Sequence, residues 1–198
     1  MSQRDLFPAS SEAFARGYAY EPGFLSRVEE ATLIGEIERL PLAQAEYKGF
    51  LANRRIFSYG GRYDFSAQRL EAGEPIAPFL HPLRARAAAW AGCSVDDLTH
   101  ALVAQYPPGS QLGWHRDVPD FELVIGVSLG GPCRMRFRRY PPRMREKSLA
   151  LDIEPRSIYR LQHAARWDWQ HCVAPVPGLR YSITFRALAP APAGKGRR

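Results

Sequence analysis

A histidine and an aspartate lie two residues apart near the middle of the chain, in Trp114-His115-Arg116-Asp117. Side chains two apart on an extended segment point to the same face, so His115 and Asp117 would present their ligand atoms together. One imidazole and one carboxylate form two thirds of the 2-His-1-carboxylate triad that binds non-haem Fe(II) and leaves positions open. An isolated H-x-D also occurs as an ordinary surface pair, so the hypothesis needs a third ligand.

The third ligand would have to be another histidine. His163 and His171 both lie in the C-terminal part of the chain, and spacing alone does not choose between them. His81 and His100 stand at the start of a predicted helix and a predicted strand, where we expect structural roles.

The segment RYSITFR at residues 180–186 alternates strictly between polar and apolar side chains. As a strand, it would place Arg180 and Arg186 on one face, with aromatic and aliphatic residues on the other. The polar face is either a solvated outer surface or the inside of a barrel, where guanidinium groups would bind a dicarboxylate.

The elements that must position these residues change in character along the chain. A capping box at Ser26 and Glu29 opens a helix that Pro41 stops, and a second helix is predicted from about Pro82 to Ala91. Residues 46–65 read as extended and aromatic. From residue 99 onward, short apolar or alternating runs separated by Gly/Pro turns predict an antiparallel sandwich or jelly roll. The runs are His100–Tyr106, Glu122–Leu129, Cys133–Arg139, Leu149–Ile153, Ser157–Leu161 and Arg180–Arg186.

The composition excludes several classes of protein. The chain has 198 residues, 45% of them apolar, with a formal net charge of +7. It lacks the run of about 20 apolar residues that a transmembrane helix needs, and its start lacks the apolar core of a secretory signal. The three cysteines form no C-x-x-C pair, which disfavours a disulfide framework or a cysteine zinc site. We therefore expect a cytoplasmic protein with no membrane association, and a monomer.

Several motifs together resemble the AlkB family of Fe(II)- and 2-oxoglutarate-dependent dioxygenases. Tyr106 is followed by Pro108-Gly109 and, nine residues after the tyrosine, by the H-x-D motif; His171 lies 56 residues beyond His115. The RYSITFR segment is close to the family's R-Y-N-L-T-F-R. The resemblance covers about residues 18–187.

The resemblance implies a mainly β fold with flanking helices (α+β). Its core would be a double-stranded β-helix, or jelly roll, with N-terminal helices and a substrate-recognition lid. We expect an N-terminal arm over residues 1–20, poorly ordered, and one dioxygenase domain over 21–187. Within this domain, 21–98 would hold the helices and lid, and 99–187 the jelly-roll core. Residues 188–198 would form a flexible basic tail.

The resemblance also assigns a role to each motif. It implies that His115, Asp117 and His171 are the catalytic residues that ligate Fe(II). It implies further that cofactor-binding residues hold 2-oxoglutarate: Arg180 and the Tyr106 hydroxyl at the distal carboxylate, and Arg186 near the metal-proximal end. With O2 as the third participant, the implied reaction demethylates alkylated bases of DNA or RNA, as in DNA repair, releasing formaldehyde, succinate and CO2. The alternative is the same oxidation of a protein or small molecule.

The substrate region of the family resembles Tyr59-Gly-Gly-Arg-Tyr-Asp-Phe65. Tyr59 and Tyr63 are candidates to stack on a base, and Arg62 and Asp64 either read a base edge or hold the lid through an ion pair. Phe65 is better explained as core.

Two positions depart from the family pattern. Ala104 stands where many members have a cosubstrate-binding Asn, and Pro119 stands where some base-repair members have an acidic residue.

The predicted strand Cys133–Arg139 carries an unusual number of positive charges. It would place Arg134, Arg136 and Arg138 on one face. This face is either solvated or contacts phosphates, and the net charge favours phosphate contact.

Overall fold

A computed structural model describes residues 12–47, 50–64, 69–142, 144 and 148–190. The helices are α1 (Glu12–Gly17), α2 (Arg27–Ile37), α3 (His81–Ala91) and α4 (His163–Trp167). The strands are β1 (Tyr18–Glu21), β2 (Ala43–Tyr47), β3 (Phe50–Tyr59), β4 (Gly61–Asp64), β5 (Arg69–Ala72), β6 (His100–Tyr106), β7 (Leu112–His115), β8 (Phe121–Gly130), β9 (Cys133–Arg139), β10 (Leu149–Ile153), β11 (Ser157–Leu161), β12 (Trp169–Val173) and β13 (Arg180–Leu188).

Two antiparallel sheets form the body of the molecule. The large sheet has seven strands in the order β1-β11-β8-β13-β6-β3-β2, and the small sheet has four in the order β10-β9-β12-β7. Strands β4 and β5 form a separate two-stranded sheet. This mostly antiparallel β architecture with few helices confirms the predicted mainly β, jelly-roll fold class.

The two faces of the large sheet bury different sets of side chains. On one face, Tyr181, Ile183 and Phe185 of β13 join a core cluster with Leu33 of α2 and Leu83 of α3. A second cluster lies between the two sheets and contains side chains from both, together with Phe14 of α1. The space between the sheets is therefore walled by strands on both sides, while α2 and α3 cover the other face of the large sheet.

The burial of side chains on β13 decides between the two interpretations of its polar face. Arg180 is only 1% exposed, and Ser182 and Thr184 are also buried. The Arg180 guanidinium lies over the ring of Tyr106, which belongs to the cluster between the sheets. The polar face of residues 180–186 therefore points into the molecule, and the interpretation as a solvated surface is wrong.

The two predicted helices form close to their predicted positions. Ser26 and Glu29 make both hydrogen bonds of the capping box that begins α2. This helix ends at Ile37 rather than near Pro41, and Val28 in its first turn is 76% exposed. Helix α3 ends at Gly92, whose left-handed backbone a glycine adopts without steric cost.

The expectation that the first 20 residues form a poorly ordered arm fails for residues 12–20. Phe14 of α1 is fully buried against Phe137 and Trp169, at centroid distances of 4.8 and 4.9 Å. Strand β1 pairs with β11 at the edge of the large sheet. The helix has only six residues, too few for a periodic signal, and its order comes from burial of an aromatic ring. Residues 1–11 and 191–198 lie outside the described part of the chain.

Candidate metal centre

Neighbouring strands of the small sheet bring the predicted triad together. His171, in the middle of β12, is the register partner of His115 at the end of β7, and their ring centroids are 4.2 Å apart. Asp117 follows two residues later, and the ligand atoms of all three lie within 4.8 Å of one another. His163 instead lies exposed at the first position of α4. Strand pairing thus selects His171, which spacing alone did not.

The two imidazoles are held in the neutral form that binds metals. The Nδ1 atom of His115 is 2.9 Å from the carbonyl oxygen of Gly113. A carbonyl only accepts hydrogen bonds, so Nδ1 carries the proton and the Nε2 lone pair is free. Burial is the main cause that lowers the pKa of both rings, and it lowers the pKa of His171 to about 3.

The carboxylate of Asp117 has one anchored and one free oxygen. Its Oδ1 accepts a hydrogen bond from the Arg186 guanidinium at 3.2 Å. Its Oδ2 lies 3.7 Å from His171 Nε2, buried and without a hydrogen-bond partner among the described residues. Burial raises the pKa of Asp117, but Arg186, the two histidines and Arg166 together outweigh it and hold the pKa well below its usual range.

This donor set fits a divalent metal of the Fe(II) type. A buried anionic oxygen without a partner is costly, and a bound cation would supply the missing interaction. Two neutral imidazoles and one carboxylate on the same side leave coordination positions for other ligands. The residues present therefore match the triad that the sequence predicted.

Arg166 supports the loop that carries Asp117, and sequence reasoning missed it. Its buried guanidinium donates hydrogen bonds to the carbonyl oxygens of Asp117, at 3.0 Å, and Val118, at 2.6 Å. It comes from α4, a short helix between strands that no motif marked. These bonds fix the backbone after β7, where no further strand pairing holds it.

A second buried arginine faces the inside of the barrel without an anion. The Nε of Arg180 donates to Ser128 Oγ at 3.1 Å, and its guanidinium carbon lies 4.9 Å from the centre of the Tyr106 ring. Its terminal nitrogen Nη1 is buried without a hydrogen-bond partner, and no described carboxylate forms an ion pair with the guanidinium. Burying an unpaired charge is expensive, so this site is suited to a carboxylate supplied by a ligand.

Tyr159 of β11 is a further wall of this pocket that the sequence did not reveal. Its ring lies over Gly126 of the neighbouring strand so closely that a methyl group there would overlap it. Burial raises the pKa of the phenol, although the nearby Arg180 opposes the shift. Tyr159 therefore stays protonated and can donate a hydrogen bond inside the pocket.

The structure does not bring Tyr59 to the metal centre. Its ring is 4% exposed, packs edge-on against Phe57 at 4.9 Å, and belongs to the core cluster under the helices. The reason is strand parity: residues 57 and 59 of β3 point away from the inter-sheet pocket.

The other predicted substrate residues lie on β4. Register places Arg62 opposite Glu71, and Tyr63 and Asp64 opposite the first two residues of β5. Their side chains lie outside the described part of the structure, and so does Phe65. Their proposed contacts with substrate remain predictions.

Comparison with known proteins decides the family. The sequence profile of the 2OG-Fe(II) oxygenase superfamily matches residues 23–186, most of the chain. The chain belongs to the 2OG-Fe(II) oxygenase superfamily. The cofactors of this oxygenase are therefore Fe(II), 2-oxoglutarate and O2, as predicted, and its His-Asp-His cluster lies inside the matched segment.

Two relatives of the oxygenase are known from their sequences. It is 28% identical over 198 residues to the alkylated DNA repair protein ALKBH8 homolog of Arabidopsis thaliana, covering 85% of this chain and 55% of that protein. It is 35% identical over 98 residues to the uncharacterized protein L905 of Acanthamoeba polyphaga mimivirus, covering 43% of this chain and 46% of the viral protein. The chain thus spans about half the length of these relatives.

Solved structures share the fold of the oxygenase. That of OsALKBH1 matches with a TM-score of 0.65 at 15% identity, over 86% of this chain and 97% of the other. The Pseudomonas putida prolyl-4-hydroxylase matches with a TM-score of 0.59 at 14% identity, over 96% and 100%. The superfamily match and the Arabidopsis relative confirm the resemblance to AlkB-type oxygenases, and the two solved structures show that the fold is shared. No helix in the described part of the chain combines the length and apolar character needed to cross a membrane.

Proposed function

We propose that this oxygenase removes methyl groups from alkylated bases of DNA or RNA by oxidation. The observation that carries the chemistry is the triad with the unpartnered Asp117 Oδ2, in the same inter-sheet pocket as the unpaired Arg180 guanidinium. The nucleic-acid substrate is supported by the resemblance to AlkB, by the Arabidopsis relative named for alkylated DNA repair, and by the net charge of +7.

In this proposal His115 through Nε2, His171 and Asp117 hold the iron. Bound Fe(II), with O2 and 2-oxoglutarate, supplies the oxidation that inserts one oxygen atom into a C–H bond of the methyl group. Arg186 fixes the rotation of the Asp117 carboxylate by holding Oδ1, and this leaves Oδ2 for the metal. Arg166 holds the backbone of the same residue.

Arg180 and Tyr106 hold the distal carboxylate of 2-oxoglutarate, and Arg186 lies at its metal end. Arg180 and Tyr106 are register partners on β13 and β6, so the guanidinium and the phenol are fixed by the sheet itself. Ser128 orients the guanidinium from the other neighbouring strand. Ala104, where many family members have Asn, is buried beside Ser182 and offers no polar side chain.

The overall reaction balances without a further reductant. One atom of O2 enters the succinate carboxylate as 2-oxoglutarate loses CO2, and the other hydroxylates the N-methyl carbon. The resulting N–CH2–OH group loses its hydroxyl proton to solvent and breaks at the C–N bond, which releases formaldehyde and returns the electron pair of that bond to the base nitrogen. The methyl carbon is oxidised and 2-oxoglutarate supplies the remaining two electrons.

A base inside a duplex is out of reach of a buried metal, so the substrate base must be flipped out or single-stranded. We place its contacts on the lid formed by β4 and β5, at Arg62, Tyr63 and Asp64. Tyr59 is buried and instead anchors the end of β3 that leads into β4. A cytoplasmic location and a monomeric state remain predictions from the sequence.

The test combines two readouts in one reaction. The protein is incubated with Fe(II), ascorbate, 2-oxoglutarate and a single-stranded oligonucleotide carrying 1-methyladenine or 3-methylcytosine, with the unmethylated oligonucleotide and the Tyr63→Ala variant as controls. We expect succinate and loss of the methyl group, both reduced in Tyr63→Ala. Succinate without methyl loss from any DNA or RNA oligonucleotide would reject the nucleic-acid substrate in favour of a protein or small molecule. The absence of both products would reject the proposal.

A further inference from the structure

We infer that the outer face of the small sheet binds the phosphate backbone of a single-stranded nucleic acid whose base enters the metal centre. We call this surface the arginine face: Arg134, Arg136 and Arg138 of β9, with Trp114 of β7. The inference rests on the proposed nucleic-acid substrate and adds the surface that would hold it.

The three arginines form a regular row. Met135 and Phe137 between them are buried in the inter-sheet core, so the arginine side chains point outward. Residues two apart on a strand are separated by about 7 Å, so the row spans about 14 Å. A row of this length and regularity can contact successive phosphates of an extended strand.

The charge of the row is poorly compensated. Among the described ion pairs, the row takes part in one: Asp152 lies 3.2 Å from Arg134, and the two side chains are 75% and 60% exposed. Such a surface pair contributes little and yields readily to a phosphate. Arg136 and Arg138 bond to neutral groups, Ser148 Oγ at 3.0 Å and Gln170 Oε1 at 2.9 Å. An ordinary solvated face would carry charges of both signs.

Trp114 adds an aromatic plane to the row. The guanidinium carbon of Arg138 lies 4.4 Å from its ring centre, and that of Arg136 lies 5.8 Å away. These cation–π contacts hold the two guanidinium groups in place before any ligand arrives. Positive grooves lined with aromatic rings are typical of single-strand binding surfaces, where bases stack on the rings.

The arginine face adjoins the metal centre through one edge strand. Trp114 and His115 are consecutive on β7, so their side chains lie on opposite faces of the small sheet. Strand β7 is at the edge of this sheet, and no described strand pairs with its outer side. At the same edge Arg116 lies 3.8 Å over the ring of Tyr140, which is 44% exposed. A nucleic-acid strand on the arginine face can therefore turn over β7 and present a base to the triad.

Salt dependence of binding tests this surface directly. Each phosphate contact to a single strand contributes about −0.7 to the slope of log K against log salt. We compare Arg134→Gln/Arg136→Gln with the control Arg27→Gln/Arg39→Gln, which removes the same charge from the exposed ends of α2 on the helical side. Binding of a fluorescent, unmethylated 16-nucleotide single strand is measured by anisotropy at several salt concentrations.

The expected result is a slope shallower by about 1.4 for Arg134→Gln/Arg136→Gln and little changed for the control. Equal slopes for the two variants would overturn the inference. So would a wild-type protein whose binding of the 16-nucleotide strand does not depend on salt.

A second substrate separates this inference from the proposed function. A methylated dinucleotide is too short to occupy the row and the metal centre together. We expect Arg134→Gln/Arg136→Gln to demethylate it as the wild type does, while its preference for the methylated 16-nucleotide strand falls. Demethylation without any such loss would overturn the arginine face and leave the proposed function intact. Salt-dependent binding through the face without demethylation would overturn the proposed function instead.

Discussion

Arg186 holds one oxygen of Asp117 at 3.2 Å and thereby leaves the other, Oδ2, as a buried carboxylate oxygen without a partner beside His171. This contact joins the large sheet, which carries Arg186, to the loop after β7. Because Arg186 holds the carboxylate through Oδ1, the free Oδ2 lies on the side of the two histidine rings.

The first prediction concerns this contact. Replacing Arg186 with Gln keeps a hydrogen-bond donor but removes the charge that fixes the carboxylate. Loss of such a supporting partner lowers metal affinity by about 10- to 100-fold, and we expect a loss in this range for Fe(II) titrated under anaerobic conditions. Arg39→Gln, at an exposed position, is the matched control. Unchanged Fe(II) affinity in Arg186→Gln would show that the contact does not orient the ligand.

The second prediction concerns Arg180. Truncating one member of a buried charge pair costs about 2–5 kcal/mol, which corresponds to roughly a 30-fold to several-thousand-fold rise in the KM for 2-oxoglutarate in Arg180→Met. Without 2-oxoglutarate, the variant should be at least as stable as the wild type, since a buried unpaired guanidinium is removed. Succinate formation and thermal unfolding measure the two effects. A KM equal to that of the wild type would mean that another group holds the cosubstrate.

The third prediction concerns the space beneath Tyr159. In Gly126→Ala the added methyl group overlaps the Tyr159 ring and pushes it toward the Arg180 side of the pocket. We expect overpacking to cost about 1–3 kcal/mol of stability and to weaken 2-oxoglutarate binding. The control is Gly35→Ala in α2, where the methyl group meets open space and should stabilise the helix by up to about 1 kcal/mol. Tight 2-oxoglutarate binding by Gly126→Ala would show that Tyr159 does not border the cosubstrate.

The fourth prediction concerns the N-terminal segment. Phe14 packs against Phe137, the register partner of His171, and against Trp169 on the same strand as His171, so Phe14→Ala should lower the free energy of unfolding by about 3–5 kcal/mol. Val28→Ala, at an exposed position, should change it by less than about 0.5 kcal/mol. Denaturant unfolding followed by tryptophan fluorescence gives both values. Equal stabilities would mean that α1 does not belong to the folded core.

Local sequence patterns were sufficient to predict most strands of the jelly roll. The runs His100–Tyr106, Cys133–Arg139, Leu149–Ile153 and Ser157–Leu161 coincide with strands β6, β9, β10 and β11. Three of these runs end just before a Pro-containing turn, whereas Ser157–Leu161 leads into α4, so apolar content and turn chemistry define most of them. Helix α1 is too short to show a helical period, and its order depends on a distant aromatic cluster.

The residues of the metal site likewise fall into those that local spacing predicts and those that only long-range contacts bring together. His115 and Asp117 were found because their spacing is local, whereas His171 could be told from His163 only through the resemblance to the AlkB family. Its true determinant is the pairing of β12 with β7, a long-range contact that no spacing encodes. Arg166 and Tyr159 reach the site from other elements, and no motif marked them. Tyr59 was misplaced because its parity on β3 depends on where pairing with β6 begins.

We propose that His115, Asp117 and His171 hold a single Fe(II), which 2-oxoglutarate then chelates. The most direct measurement is anaerobic titration of Fe(II), with and without 2-oxoglutarate, into the wild type, His171→Ala and His163→Asn. Asn is chosen because residue 163 has a positive φ of 50°, which Asn tolerates. We expect one tightly bound Fe(II) in the wild type and His163→Asn, and loss of tight binding in His171→Ala. Retention of tight Fe(II) binding by His171→Ala, or its loss in His163→Asn, would show that this triad is not the iron site.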